Sequence, residues 1–245
     1  GFAVATFGWV FIRKWFPDRP RKPKGGVGLR NFFEEFTEGL GYARANKPLF
    51  FFALFGLAPG YAAHMSNVLL VGFCKDSLQT GAEGFGLLDM SYGLGAMVCG
   101  LGLPIFLQKF GTRPALPIIA LFLVAVNCIL VSFSESLAFA MFCFAGFALF
   151  GQLVGILASA TLQRECDEEV VGRLVSLVNV VQYLLAPILV WGLGVYAGLP
   201  RGRLLHEDTL RDGFVAIAIF FLLLTAASIF GAYPFLKKQR EKRTE

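Results

Sequence analysis

Hydrophobic and polar positions along this chain alternate in blocks of about twenty residues, not with the period of a strand or a soluble helix. Long apolar segments run near residues 48–73, 85–107, 114–133, 138–162, 174–198 and 213–236. Short polar breaks separate them: KDSLQTGAEG, LQKFGTR, SESL, QRECDEEVVGR and PRGRLLHEDTLRDG. An apolar run of roughly 18 residues or more is long enough to cross the hydrocarbon of a bilayer. Backbone N–H and C=O groups find no water there, so each crossing segment must satisfy them internally as a helix. The pattern predicts an all-α integral membrane protein whose residues 48–236 form a six-helix transmembrane bundle.

The flanks read differently. Residues 1–12 (GFAVATFGWVFI) are apolar but too short to cross, and read as the end of a truncated transmembrane helix. Residues 13–47 form a connection that opens on RKWFPDRPRKPKGG, a stretch rich in proline and basic residues. It continues into an amphipathic segment, with Phe32, Phe33, Phe36, Leu40 and Ala43 opposite Glu34, Glu35 and Glu38. Such a helix lies on a membrane surface or against other helix ends. Residues 237–245 are a basic tail.

Composition supports the membrane reading. The chain is 56% hydrophobic and 16% charged, against roughly 25% charged in soluble proteins. Its net charge of +5 would suggest nucleic acid in a soluble chain. Here the basic residues sit beside the spans, where they set orientation, so no nucleic acid is expected. Lys and Arg number nine in the connection, then one, two, none, two and three in the successive breaks, and five in the tail. If alternate loops share a side, one side holds 18 of them and the other four. The positive-inside rule then puts the connection, the LQKFGTR and QRECDEEVVGR loops and the tail in the cytoplasm. Five cysteines without a CxxC, and only two histidines, suggest neither a disulfide framework nor a metal site. No nucleotide-binding loop, GxSxG or HExxH is present, so neither an enzyme nor a cofactor is expected.

Two loop motifs carry a family resemblance. Gly100-Leu-Gly-Leu-Pro-Ile-Phe-Leu-Gln-Lys-Phe-Gly-Thr-Arg113 is a Gly-rich helix end followed by basic-x-Gly-x-basic, formed by Lys109, Gly111 and Arg113. Glu168, Glu169, Gly172, Arg173, Ser176 and Leu177 make an acidic run leading into a Gly-Arg helix entry. Together with the span pattern, these resemble the second half of a major facilitator superfamily transporter, in its siderophore- and drug-exporter branch. The first motif lacks the acidic residue of the fuller version. In the second, Val171 stands for the usual first Arg and Asp167 for a common Pro. The resemblance makes the clipped helix the sixth span and the others the seventh to twelfth. It implies alternating access by two rocking six-helix halves about a midplane site.

Polar residues inside spans are costly and mark candidate pathways. His64, flanked by Tyr61 and Asn67 at three-residue spacing, reads as one face of the first span; His64 is either a proton carrier or a structural hydrogen-bonding group. Asp89, with Tyr92 and Gly93 one turn on, is either a proton or cation site or a helix-start residue. Asn179, Gln182 and Tyr183, with Ser176 a turn earlier, form a polar stripe that lines a cavity or bonds helices together, on a helix that Pro187 could bend. Gln152, Gly155 and Ser159 share a face of the fourth span. Gly56/Gly60 and Gly151/Gly155 are GxxxG pairs that favour close helix packing. The third and sixth spans are apolar nearly all round, apart from Asn127, Thr225 and Ser228, and should meet lipid. Lys109, Arg113, Glu169 and Arg173 are candidates for a cytoplasmic latch, Arg173 facing Glu165, Asp167, Glu168 and Glu169.

These residues point to a small-molecule transporter half that works with a missing N-terminal six-helix half in a lipid environment. The expected activity is proton-coupled export, by antiport, of a siderophore, drug or amphipathic metabolite across a bacterial inner membrane. The alternatives are a lysolipid or lipid flippase of the same fold and a membrane interaction protein that does not transport.

Overall fold

The computed structural model describes residues 56–110, 115–165, 168–198 and 209–241, with residues 37 and 41. The expected clipped helix, most of the basic connection and the end of the tail lie outside the described residues. The described residues form α1 (Ala58–Gly72), α2 (Gly81–Phe110), α3 (Leu116–Ser132), α4 (Leu137–Glu165), α5 (Glu168–Gly198) and α6 (Thr209–Glu241). The five residues Phe73–Ser77 continue α1 as a π-helical turn.

Local chemistry accounts for the helix ends. Pro59 and Pro117 sit in the first turns of α1 and α3; a proline costs little there, because its missing N–H would be unpaired anyway. Ser136 caps α4 by accepting the Phe139 N–H at 3.3 Å. Between the π-turn and α2, Gln79 and Gly81 take left-handed φ values of 54° and 60°, so the chain reverses in a few residues. Within the spans, hydroxyls donate to carbonyls of their own helix: Ser66 to Ala62, Ser91 to Leu88, Thr225 to Phe221 and Ser228 to Leu224. No polar partner is then needed from hydrocarbon.

Among the described residues, four helical segments are long and apolar enough to cross a membrane: Gly81–Gln108, Leu137–Ala160, Leu174–Tyr196 and Thr209–Ile229. The shorter apolar helix Leu116–Ser132 has 17 residues, at the lower limit for a span. The expected first segment, 48–73, begins among residues outside the described set.

α4 is the hub, packing on α1, α2 and α3. A side chain at Gly95 would strike the Ala145 carbonyl, and one at Gly146 would strike the Asn127 amide. Small residues therefore let α2 and α3 close onto adjacent faces of α4. Exchanging α1 with α4, α2 with α5 and α3 with α6 turns α2–α4 into α5–α1 and α3–α4 into α6–α1, all of them observed contacts, and leaves α3–α6 in place. The described helices thus form two three-helix units with similar packing.

The all-apolar helices are more covered than the expectation of lipid-facing helices implied. Half of the α6 span (50%) is buried, against 22% for α2 and for α5. α3 and α6 pack on each other, and each still turns one apolar strip outward: Ile119, Phe122 and Leu130 on α3, and Ile219, Leu223 and Ile229 on α6. An all-apolar helix satisfies protein on one side and lipid on the other equally well.

Candidate solute-binding site

The strongest polar grouping inside a span joins α2 to α4. The Tyr92 side chain lies beside Gln152, and Asp89, one turn earlier on α2, lies within electrostatic reach of the Tyr92 hydroxyl. Helical spacing explains the pairing within α2, since residues three apart stand one above the other. Tyr92 lies roughly 16 Å along α2 from Gly81, at ~1.5 Å per residue, about half of the ~30 Å hydrocarbon thickness. Asp89 itself is exposed on the open side of α2.

From Tyr92 a row of aromatic rings crosses the bundle. Tyr92 meets Phe144 at 5.6 Å, Phe144 stacks on Phe147 at 5.5 Å, and Phe147 meets Phe221 edge-on at 6.5 Å. Phe220 joins Phe221 at 5.3 Å and Tyr61 at 6.1 Å. All these separations suit edge-to-face or offset ring packing. Tyr61 is only 5% exposed, and its hydroxyl has no hydrogen-bond partner among the described residues.

The expected shared face of Tyr61, His64 and Asn67 is not formed. Tyr61 turns into the core toward α6, whereas His64 and Asn67 are exposed. Three-residue steps drift by about 60° each on a 3.6-residue helix, so the face expected for three residues is split. Gly60, His64 and Asn67, at i, i+4 and i+7, are the set that keeps one side. Gln182 of α5 lies over Gly60, so closely that a side chain there would collide with it. The stripe on α5 divides accordingly: Gln182 faces α1, while Asn179 is exposed and Tyr183 is 71% exposed. On α4, Gln152 reaches Tyr92 but Ser159 is exposed. Lys109, Glu169 and Arg173 lie within helices, but their side chains are outside the described residues, as is Arg113.

A second polar site was not anticipated. Arg211, in the first turn of α6, donates from Nη1 to the carbonyl oxygens of Ser132 at 3.0 Å and Ser134 at 2.7 Å. Its guanidinium also lies 5.8 Å from the Phe73 ring centre. A cation thus caps the C-terminus of α3 from across the bundle, where the helix dipole favours positive charge. Beside it, Asp212 is fully buried in the same turn of α6. The only sequence signal was a charged RDG triplet at a helix start, with nothing to indicate which helix end it would reach.

A family model described as Major Facilitator Superfamily matches residues 1–190. The chain belongs to the Major Facilitator Superfamily. Membership and the apolar helices together make it an integral membrane protein of the transporter kind, with a small-molecule substrate and a lipid environment. No curated protein and no solved structure matches the chain. Within this superfamily, the Tyr92–Gln152 pair with Asp89 lies on helices of the two different three-helix units, α2 and α4.

Proposed function

We propose that the chain is the second six-helix half of a secondary transporter that exports a small amphipathic solute, such as a siderophore or drug, in exchange for protons. The observation that carries this reading is the Asp89–Tyr92–Gln152 group at mid-depth. A carboxylate in hydrocarbon is expensive unless a pathway hydrates it or a partner uses its charge. Its position on the open side of α2 lets it exchange protons with a cavity, while Tyr92 and Gln152 offer donors and acceptors to a solute.

The little-covered faces of α2 and α5 fit apposition to a first half, with Asn179 and Tyr183 turned toward the shared cavity. His64 and Asn67, exposed on α1, extend that lining, and His64 is the second candidate proton carrier. Lys109, Arg113, Glu169 and Arg173 form the latch that rocking opens, on the cytoplasmic side together with the connection and tail. A bacterial inner membrane fits the exporter branch whose loop motifs these residues resemble.

The test uses everted vesicles carrying the protein, energised with a pH gradient and exposed to a panel of amphipathic solutes that includes ethidium and a catecholate. Solute addition should dissipate the gradient, and Asp89→Asn should remove that effect while leaving the protein folded. Dissipation that is unchanged in Asp89→Asn removes Asp89 from coupling. Loss in His64→Ala alone transfers the role to His64.

A further inference from the structure

We propose that Arg211 is a catch holding the end of α1 against the bundle, and that the π-turn Phe73–Ser77 is the segment that gives way when the catch opens. α2 packs on α4, α4 on α3 and α3 on α6 in one continuous series, whereas α1 packs most extensively on α5 and less on that series. The groups that join the end of α1 to the series gather around Arg211.

Arg211 is fixed to the series. Its Nη1 donates to the Ser132 and Ser134 carbonyls at 3.0 and 2.7 Å, which holds the guanidinium at the end of α3. From there it reaches over the ring of Phe73, the first residue of the π-turn. Phe73 also meets Phe214 of α6 edge-on at 5.1 Å. Just before the turn the two helices interlock, since a side chain on Gly213 would strike Leu69 and one on Gly72 would press on Leu210. Leu69, Phe73, Cys74 and Phe214 are buried as a result. A cation over a ring is held by the ring's face and not by one fixed bond. Phe73 can therefore slide away while the guanidinium keeps its bonds to α3.

The backbone at the catch holds spare length. The Leu78 N–H bonds the Phe73 carbonyl, five residues back, at 2.9 Å, where an α-helix would bond four back. The turn thus stores one residue more than an α-turn, and π-turns of this kind are rare and gather at functional sites. Thr80 pins the turn from its far side, its N–H and its hydroxyl both reaching the Cys74 carbonyl, at 2.8 and 3.3 Å. Releasing the stored residue slips the end of α1 by one position, about 100° of rotation. That slip brings buried Cys74 to the angle now held by exposed Lys75. The device is independent of the solute transported.

The experiment uses the whole chain purified in detergent, well below its melting temperature, and reads N-ethylmaleimide reaction at each cysteine by peptide mass spectrometry. Cys74 lies in the turn; Cys128 lies one turn before Ser132 on α3 and is buried too. Arg211→Ala should speed reaction at Cys74 roughly tenfold and leave Cys128 unchanged. An arginine that only stabilises the fold would protect both thiols, so equal acceleration at the two overturns the proposal, as does an unchanged Cys74. Phe73→Leu opens the catch from its other partner and leaves the α3 bonds in place, so it tests the proposal even where Arg211→Ala does not fold. It should speed Cys74 as well, and the double variant should react no faster than Phe73→Leu alone, because both changes break one contact. A further rise in the double variant shows two separate contacts and overturns the catch. Hydrogen exchange should quicken in residues 74–80 of Arg211→Ala but not in residues 120–128. Unchanged exchange in the turn overturns the role given to the π-turn.

Discussion

Gly95→Ala should weaken the bundle, and Gly93→Ala, one residue pair away on the same helix, should strengthen it. In an unconstrained helix either change stabilises by about 1 kcal/mol, because alanine loses less backbone entropy than glycine. At Gly93 nothing lies within 4 Å of the added methyl, so that gain is kept. At Gly95 the new Cβ would stand 2.8 Å from the Ala145 carbonyl carbon and 3.0 Å from its Cα, whereas carbon atoms in contact sit about 3.5–4.0 Å apart. Both partners are backbone and cannot swing aside, so α2 and α4 must part. Overpacking of this kind costs ~1–3 kcal/mol, which outweighs the propensity gain at all but the lowest end of that range. The separation also acts one turn from Tyr92, so its approach to Gln152 should loosen with it. Thermal unfolding in detergent, followed with a thiol-reactive fluorophore, provides the assay, since Cys74, Cys99, Cys128 and Cys143 are buried and free. With about 2–4 °C per kcal/mol for a chain of this size, Gly93→Ala should melt a few degrees above the unaltered protein and Gly95→Ala a few degrees below it. A Gly95→Ala protein that melts at or above the unaltered one refutes the close helix approach.

Other changes test other links. Arg211→Ala should cost about 2 kcal/mol, from two charge-assisted bonds to the α3 carbonyls and the contact with Phe73; Arg211→Lys should recover part of it, and the same melting assay reads both. Tyr92→Phe removes the hydroxyl beside Gln152, and solute-driven proton flux should fall; unchanged flux takes the pair out of the pathway. Tyr61→Phe removes a buried hydroxyl that has no partner among the described residues, so melting should hold or rise; a loss above about 1 kcal/mol would reveal a partner for that hydroxyl.

The helix class and the approximate extents of the last five segments were legible because hydrocarbon imposes one rule on every residue of a span. The pairing of Asp89 with Tyr92 was legible too, since both lie on one helix and spacing alone stacks them. The grouping of Tyr61 with His64 and Asn67 was not, because each three-residue step turns by about 60°, and the first step already carries the chain from the buried side at Tyr61 to the exposed side at His64 and Asn67. Gln152 could be picked out as a polar residue, but not as the partner of Tyr92. That pairing depends on α2 closing onto α4 at Gly95 and Ala145, more than forty positions apart in the chain.

The sequence by itself determined that this is a membrane protein of about six helical segments and which of their residues are polar. Length and hydropathy are summed locally, and a bilayer answers to those sums. Only the tertiary structure decided which polar residues meet, that Arg211 caps α3 from across the bundle, and that the two apolar helices α3 and α6 pack on each other. It also decided that α2 and α3 stand apart where α5 and α6 touch. Lipid tails are as apolar as the side chains, so hydrophobicity does not choose helix partners in a membrane. Small residues, hydrogen bonds and shape choose them, and those matches exist only once the helices are side by side.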